Sequence, residues 1–296
     1  MKSGPIIVWL RRDLRVDDQP ALTAAAQSGA PVLPVFIWGP GELGESAPGP
    51  AGRWWLHQSL ESLQRTLKRL GSPLVICAGE ALAELQRLIS ETGAEAVYWN
   101  RCYESAFIER DRIIKSELQK SDIEVLGFRS NLLIEPEQVL NQQGRPYQVF
   151  TPFWKSCLAS HQPAEPKPAV TKLTSPLPKV KSVPLESLKL EPRIDWTVGM
   201  REMWRPGETG ARERLEAFLS NAAGNYHEGR DRPDLAGTSK LSPHLHFGEV
   251  SARRVWHDLG ELQHTTSQMP NREATETFRR ELGWREFAHH ILFHFP

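Results

Sequence analysis

A short bend in the last third of the chain carries residues that are suited to binding an anion. The stretch GTSKLSP at 237–243 supplies three hydroxyls, one lysine and backbone amides. Its Ser242 and Pro243 are typical of a helix start, with serine at the cap and proline in the first turn. With the nearby Arg230 and Arg232, these groups form a cradle for a pyrophosphate. The same residues are also compatible with a capped turn that carries surface charges.

The C-terminal stretch from Phe278 to Pro296 combines an apolar helix face with charged side chains. Its apolar residues recur largely at spacings of three and four, the period of a helix with a wide buried face. They are Phe278, Leu282, Trp284, Phe287, Ala288, Ile291 and Leu292. Glu281, Arg285 and histidines accompany them. No further sequence follows to cover this face, so we expect a large exposed apolar patch and a tendency to aggregate.

Histidines are concentrated in the same part of the chain. Eight of the ten lie between His227 and His294. His290 and His294 are four residues apart, and His244 and His246 are two apart, spacings that a metal could use. No cysteine joins them and no HExxH pattern is present. We predict no metal site and expect polar or stacking histidines in a helical core.

The pattern of the first 130 residues predicts a folded domain that could position these groups. Short apolar runs alternate with amphipathic segments, which indicates a doubly wound α/β domain on a parallel sheet. We predict strands at 6–10, 32–38, 74–77, 96–99 and 123–126, and helices at 21–28, 53–70, 81–92 and 105–120. Ligands of such folds bind at the carboxyl ends of the strands. No GxGxxG follows any strand, so the dinucleotide-binding fingerprint is absent.

The segment RRDLRVDDQPAL after the first strand holds three arginines and three aspartates. Arg11, Arg12 and Arg15 could bind a phosphate. The segment is nearly neutral and lacks glycine, however, so we predict that they pair with the aspartates beside them. Those aspartates are Asp13, Asp17 and Asp18. Asp18 is also the predicted cap of the next helix, ahead of Pro20.

A proline-rich segment separates this domain from the rest of the chain. From His161 to Arg193 the sequence carries seven prolines and no sustained period, which predicts a surface connector and not a core element. Beyond it we predict helices at 210–221, 250–260 and 273–293, and no strand. The predicted organisation is an α/β domain at 1–130, a connector at 131–200 and the first part of an all-α domain at 201–296.

Composition limits the environment and the partners. Lysine plus arginine equals aspartate plus glutamate, at 36 each, so bulk charge recruits neither nucleic acid nor an anionic membrane. The three widely spaced cysteines indicate neither a disulfide framework nor a zinc knuckle, and they fit a reducing cytoplasm. No apolar run approaches about 20 residues, and the N-terminus lacks a signal-peptide core. We expect a cytoplasmic monomer without a membrane segment.

Four blocks spread over the whole chain resemble the DNA photolyase and cryptochrome family in their order and separation. They are IIVWLRRDLRVDDQPAL, PYQVFTPFWKSC, GTSKLSPHLHFGEVSARRVW and ELGWREF. The resemblance implies an α/β antenna domain followed by a helical domain that folds around FAD. It also implies an activity, the light-driven repair of cyclobutane pyrimidine dimers in DNA by electron transfer from reduced FAD.

The resemblance assigns roles to individual residues. The implied cofactor-binding residues are Tyr226, Thr238, Ser239, Lys240, Leu241, Ser242, Phe278, Glu281 and Arg285. Phe278 stands where many members have tryptophan. As the catalytic pair, Glu281 would hydrogen-bond the damaged pyrimidines and Trp284 would stack on them, because an extruded lesion needs both kinds of wall beside the electron donor. Arg230 would contact a DNA phosphate. From helical spacing alone, Trp284 would instead be a core residue.

Family members continue beyond the ELGW helix with further helices that close the flavin pocket and build much of the DNA-facing surface. We therefore expect these residues to be a photolyase fragment whose own FAD affinity is weak. The second, antenna chromophore stays open between a folate, a deazaflavin, another chromophore and none. Positions at which some members bind a folate hold Ala106 and Phe107 here, which disfavours a folate.

Two other functions stay open. A cryptochrome-like flavin photoreceptor would share HLHFGEVS, but plant-type cryptochromes usually replace the glutamate and the tryptophan of ELGW, so Glu281 and Trp284 favour repair. A catalytically dead binding module would retain the α/β domain beside a vestigial helical part. The reading frame beyond Pro296 distinguishes the last case, since a native stop codon favours the dead module.

Overall fold

A five-stranded parallel sheet organises the first part of the protein. The computed structural model describes residues 4–176, 180–265 and 272–296. The strands are β1 (Ile6–Leu10), β2 (Val32–Trp38), β3 (Val75–Ala78), β4 (Ala96–Asn100) and β5 (Glu124–Phe128). Their order is β3-β2-β1-β4-β5, and every pairing is parallel. The chain therefore winds outward in both directions from the adjacent strands β1 and β4.

Four helices cover this sheet. They are α1 (Pro20–Gln27), α2 (Pro50–Leu70), α3 (Ala81–Thr92) and α4 (Ser105–Gln119). Side chains of β1 alternate between two cores: Ile6 and Val8 pack with α1 and α2, whereas Ile7 and Trp9 pack on the other face. Both faces are thus buried, as a parallel sheet requires. The predicted α/β doubly wound fold is confirmed, and no boundary moves by more than three residues.

The remainder of the described chain is helical. Its helices are α5 (Phe150–Ser160), α6 (Val198–Met203), α7 (Glu208–Asn221), α8 (Tyr226–Gly229), α9 (Ser242–Phe247), α10 (Ala252–Thr265) and α11 (Arg272–His294). A third core joins α5, α7, α10 and α11. Among the described residues no strand follows Phe128, and none of the described helices is long and apolar enough to cross a membrane.

The proline-rich segment contributes to the core, contrary to the sequence prediction. Leu173, Leu185, Leu188 and Leu190 are buried against the α2 side of the sheet. The amide of Val183 also donates to a backbone carbonyl of β3 at 2.9 Å. Proline removes helical and strand periodicity without preventing single leucines from being buried. Helix α5 also falls inside the predicted connector, and the domain boundaries remain a prediction.

Arg11 and Arg12 pair with distant elements, so the predicted self-pairing is wrong for these two. Arg15 does bond within the segment, because it donates to the carbonyls of Asp17 and Asp18 at 2.9 and 2.8 Å. Arg11 contacts Asp111 on α4, and Arg12 pairs with Glu104 at 2.6 Å. The Nη1 group of Arg15 donates to the carbonyl of Gly248 at 2.9 Å. Long guanidinium side chains reach the neighbouring layers, where burial strengthens each pair.

Two aspartates of this segment hold α10 against the sheet. Asp18 accepts from Arg253 at 2.9 and 3.0 Å, and Asp17 accepts from Arg254 at 3.0 Å. The predicted cap by Asp18 is also wrong, because the Gln19 side chain caps α1 by accepting from the Leu22 amide at 2.9 Å. Asp18 instead adopts a left-handed conformation, with φ 46°.

Candidate functional site

A cavity of about 570 Å³ opens between the carboxyl edge of the sheet and helices α8, α9 and α11. The sheet contributes the residues that follow β1, β4 and β5, and the helical part contributes the bend before α9 and one face of α11. All nine residues predicted to bind a cofactor line it: Tyr226, Thr238, Ser239, Lys240, Leu241, Ser242, Phe278, Glu281 and Arg285. The two groups that the sequence places about 40 residues apart therefore share one hollow.

The bend before α9 is held tightly against α8. A Cβ atom on Gly237 would lie 2.2 Å from the carbonyl oxygen of Gly229, so only glycine fits. Lys240 has a left-handed φ of 52°, and Leu241 is buried beneath the bend with 1% exposure. The backbone thus turns its hydroxyl-bearing residues toward the cavity.

The predicted serine cap of α9 is not found. Ser242 is the first helical residue, and the cap position is Leu241, whose side chain makes no cap hydrogen bond. Ser242 lines the cavity instead. Its hydroxyl is therefore available to a ligand and is not used to begin the helix.

An aromatic wall stands on the α11 side. Phe278 is 4% exposed and packs edge-on against Tyr226, with ring centroids 5.0 Å apart. Phe218 of α7 supports it from behind at 4.5 Å. Leu282, Arg285 and further residues at helical spacing continue this wall. Such a surface suits a flat aromatic ligand.

Arg230 and Glu281 form an ion pair with each other. Each side chain is 33% exposed, and the Arg230 guanidinium also lies 5.7 Å from the ring centroid of Tyr226. The hydrogen bond to Glu281 raises the pKa of Arg230. The family resemblance implies separate roles for these residues, a phosphate contact and a lesion contact, and no pattern in the sequence predicts their pairing.

Trp284 is not among the residues that line the cavity. Its indole stacks on the ring of Phe150, with centroids 3.7 Å apart, and remains 47% exposed. Phe150 stacks in turn on Trp154 at 6.3 Å. The core position that spacing alone gave to Trp284 is therefore wrong. The indole is an exposed platform beside the cavity.

The predicted apolar face of α11 is only partly covered. Phe278 and Leu282 are buried, whereas Trp284 and Leu292 are 47% and 37% exposed. The expected exposure is thus present in part of the helix. Aggregation stays a prediction.

Sequence reasoning named Arg12 as a possible phosphate ligand but set it aside, and it missed the other residues that the sheet supplies to the cavity. Arg12 follows β1, whereas Cys102, Tyr103 and Glu104 follow β4. The carboxyl ends of two such strands are the topological switch point of an open α/β sheet, where ligands bind. The strand order was the signal that could have identified these residues, and the sequence does not contain it.

Charge in this inner part of the cavity comes from arginine and not from histidine. Burial lowers the pKa of His246 to about 4, and the nearby charge of Arg12 adds to this effect. Burial and Arg285 likewise lower the pKa of His289 to about 4. Both imidazoles are neutral at pH 7. Burial opposes ionisation of Glu104, but Arg12 prevails and lowers the pKa of that carboxyl.

A buried carboxylate fixes α11 from behind. Glu286 is 2% exposed and accepts from the amides of Leu133 and Ile134 at 2.8 and 3.3 Å. It also accepts from Arg285 Nη1 at 2.9 Å. Burial raises its pKa to about 7. Glu286 therefore positions the guanidinium of Arg285 at the cavity.

The histidines take structural roles. His290 is buried and accepts from the Tyr147 amide at 3.1 Å, and His294 contacts the carbonyl of Pro136 at 3.1 Å. His244 pairs with the buried Glu249. Within the described ranges, no group of three or more histidine, cysteine, aspartate or glutamate side chains is placed to hold a metal.

A second cavity of about 600 Å³ lies on the other side of the α9 start. Aromatic residues dominate its wall, including Phe36, Trp38, Phe107 and Phe247. Its charged groups are Arg11, Arg12 and Arg110. A wall of this kind suits a flat ligand that carries negative charge.

The chain belongs to the DNA photolyase family, whose model matches residues 6–172. It is 42% identical over 301 residues to a deoxyribodipyrimidine photo-lyase of Agrobacterium fabrum, covering 100% of this chain and 60% of that protein. Cryptochrome-1 of Arabidopsis thaliana is 35% identical, with 99% and 44% covered. The crystal structure of a class III photolyase from Agrobacterium tumefaciens superposes with a TM-score of 0.92 at 42% identity.

The chain spans 60% of the length of both Agrobacterium proteins. The match to the class III photolyase covers 100% of this chain. Both the sheet part and the helical part thus have their counterparts in one known fold.

Proposed function

We propose that this chain binds FAD in the cavity between α9 and α11 and serves the light-driven repair of cyclobutane pyrimidine dimers in DNA. One observation supports the proposal above all others. The hydroxyl-bearing bend, the wall of Phe278 and the carboxylate of Glu281 line a single cavity of about 570 Å³.

The residues present fit the two ends of FAD. The hydroxyls of Thr238, Ser239 and Ser242 can donate to phosphate oxygens, and Lys240 supplies a positive charge beside them. The close contact of Gly237 with Gly229 holds the bend against α8. Phe278 offers a flat apolar surface for a ring system, and Arg285, held by Glu286, supplies a fixed cation.

Glu281, Arg230 and Trp284 are the proposed contacts to the damaged DNA. Bound reduced FAD supplies the absorption of a photon and the electron that opens the dimer. Glu281 binds the hydrogen-bonding edge of the pyrimidine pair once DNA displaces Arg230, and Arg230 then contacts a backbone phosphate. Trp284 offers its exposed face for stacking on a base extruded from the duplex.

The second cavity is the proposed antenna site. Its aromatic wall and three arginines favour a planar, anionic chromophore such as a deazaflavin. Phe107, at a position where some family members bind a folate, is buried with 4% exposure and forms part of that wall. This arrangement favours a deazaflavin over a folate.

Illumination of a defined lesion tests the proposed function. The purified chain is loaded with FAD, reduced, mixed with a single-dimer oligonucleotide and exposed to blue light, and restored thymines are measured by absorbance and chromatography. Glu281→Gln should slow repair by about 10- to 100-fold, since a hydrogen bond to a charged group is worth about 1.5–3 kcal/mol. The matched control is Glu276→Gln on the exposed side of α11, which should repair at the wild-type rate.

The same experiment distinguishes the cryptochrome alternative, which the similarity to Cryptochrome-1 of Arabidopsis thaliana supports. An unchanged lesion beside a flavin that photoreduces under blue light would indicate a photoreceptor and would contradict repair. A chain without bound flavin would contradict both.

A further inference from the structure

The two cavities share one partition. Arg12, Ser242 and His246 line both the cavity with the hydroxyl-bearing bend and the aromatic second cavity. These residues come from different parts of the fold: Arg12 follows β1, whereas Ser242 and His246 lie on α9. The two cavities are therefore bounded by the same three side chains.

Arg12 is held from both sides of the partition. Its guanidinium pairs with Glu104, which lines the first cavity, at 2.6 Å. It also lies 5.1 Å from the ring centroid of Phe107, which lines the second cavity. A shift of Arg12 toward one cavity thus changes its contact in the other.

His246 forms the second part of the partition. Its ring packs edge-on against Phe247, with centroids 4.8 Å apart, and Phe247 lines only the second cavity. The backbone behind it is closely packed, because a Cβ on Gly248 would lie 2.0 Å from the carbonyl oxygen of Arg12. The close contact between Gly248 and Arg12 ties α9 and the end of β1 into one unit.

We propose that this partition couples the two cavities, so that a planar anionic ligand in the second cavity tightens FAD binding in the first. The proposal rests on the proposed FAD site. A ligand against Phe107 excludes water from Arg12, which strengthens the ion pair of Arg12 with Glu104 because the local dielectric constant falls. The second ligand then meets side chains that are already ordered and loses less conformational entropy on binding.

The coupling must be reciprocal, since it is a free energy shared by two binding equilibria. Isothermal titration calorimetry measures the Kd for FAD without and with saturating 8-hydroxy-5-deazaflavin, and then the Kd for the deazaflavin without and with FAD. We expect each ligand to lower the Kd of the other by the same factor, of about five or more. A factor of one, a factor below one, or no binding of the deazaflavin would overturn the proposal.

Variants locate the coupling. His246→Ala should reduce the factor to about one, whatever the change in the Kd of each ligand alone, and Arg12→Gln should do the same if the first variant does not fold. Phe36→Leu is the matched control, because Phe36 lines only the second cavity. It should weaken the deazaflavin and leave the coupling factor unchanged. Loss of FAD binding to the wild-type chain would instead overturn the proposed function, and the two failures are thereby distinct.

Discussion

The two proposed DNA contacts, Arg230 and Glu281, are ion-paired with each other. Arg230 and Glu281 satisfy each other's charge across the space between α8 and α11. A partly exposed pair of this kind contributes no more than about 1 kcal/mol. Breaking this ion pair when Arg230 binds a phosphate and Glu281 binds a lesion therefore costs little free energy. The ion pair is thus compatible with the proposed DNA contacts of both residues.

Removal of Arg230 should weaken DNA binding irrespective of sequence. With Arg230→Ala, one phosphate contact is lost, so the slope of log affinity against log salt should decrease by about one. Fluorescence anisotropy at several salt concentrations measures this for damaged and undamaged duplexes. Arg112→Ala, on the exposed side of α4, is the control. An unchanged slope for Arg230→Ala would remove Arg230 from the DNA contacts.

The titration of Glu286 should make stability depend on pH. Its pKa is raised from 4.5 to about 7, so the native chain binds the proton more tightly than the unfolded one. The resulting stabilisation is fully present below pH 4.5 and is lost as the pH rises through 7, an effect of roughly 3 kcal/mol. Glu286→Gln cannot titrate and should lack this loss.

Urea unfolding at about pH 5 and pH 8 compares the wild type with Glu286→Gln and with the exposed-site control Glu276→Gln. The control should follow the wild type. Parallel pH profiles for the wild type and Glu286→Gln would show that the buried carboxylate keeps its ordinary pKa.

Three helices meet at one buried carboxylate. Glu249, just after α9, accepts from Trp55 of α2 at 2.9 Å and from the amide of Gly207, before α7, at 2.7 Å. Ser59 and His244 complete the set of donors. The element that follows the hydroxyl-bearing bend is thus anchored to the sheet layer through α2.

Removal of this carboxylate should strongly reduce the stability of the fold. Glu249→Ala leaves the indole of Trp55 and the amide of Gly207 buried without an acceptor, which should lower the free energy of unfolding by about 3–5 kcal/mol. Denaturant unfolding followed by tryptophan fluorescence measures it. Glu61→Ala, which removes an exposed ion pair on the same helix α2, should leave the midpoint unchanged. Equal midpoints for the two variants would be incompatible with the anchor.

Two glycines with positive φ allow the cost of backbone strain to be measured apart from the cost of close packing. Gly29 has a φ of 78° and open space where a Cβ would be added. Gly29→Ala should therefore lower the free energy of unfolding by only about 1–2 kcal/mol. Gly248→Ala has φ 67° and a Cβ that would lie 2.0 Å from the Arg12 carbonyl oxygen. Overpacking should add about 1–3 kcal/mol there. Thermal or urea unfolding of both variants measures the difference, and equal losses would show that the α9–β1 contact adapts freely.

At the scale of the whole molecule, the sequence predicts the helices, strands and turns that depend on neighbouring residues, but it does not predict contacts between residues far apart in the chain. Strands and helices of the sheet layer follow from short apolar runs and helical spacing, and the bend at 237–242 follows from its own composition. The partners of Asp18 and Arg12 do not follow from such local patterns. Arg253, which binds Asp18, lies 235 residues away, and Glu104, which binds Arg12, follows a different strand of the sheet. The family resemblance recovered the helical half of the cavity, whereas the sheet half depends on a topology that no local pattern encodes.

The cavity lies where the two parts of the chain meet. Asp17 and Asp18 bind α10, Arg15 binds Gly248, and Glu249 binds α2, so these contacts join the sheet part to the helical part that carries α9. We propose that this junction binds FAD.

An equilibrium titration of the purified chain with FAD, followed by flavin fluorescence and calorimetry, measures this binding. We expect saturation at one FAD per chain and wild-type binding by the surface control Lys68→Ala. Lys240→Ala should bind FAD at least about tenfold more weakly, since a phosphate would lose a charge-assisted contact of about 1.5–3 kcal/mol. A folded chain that leaves the flavin signal unchanged, or that binds FAD equally well with Lys240→Ala and Phe278→Ala, would show that this junction is not a flavin site.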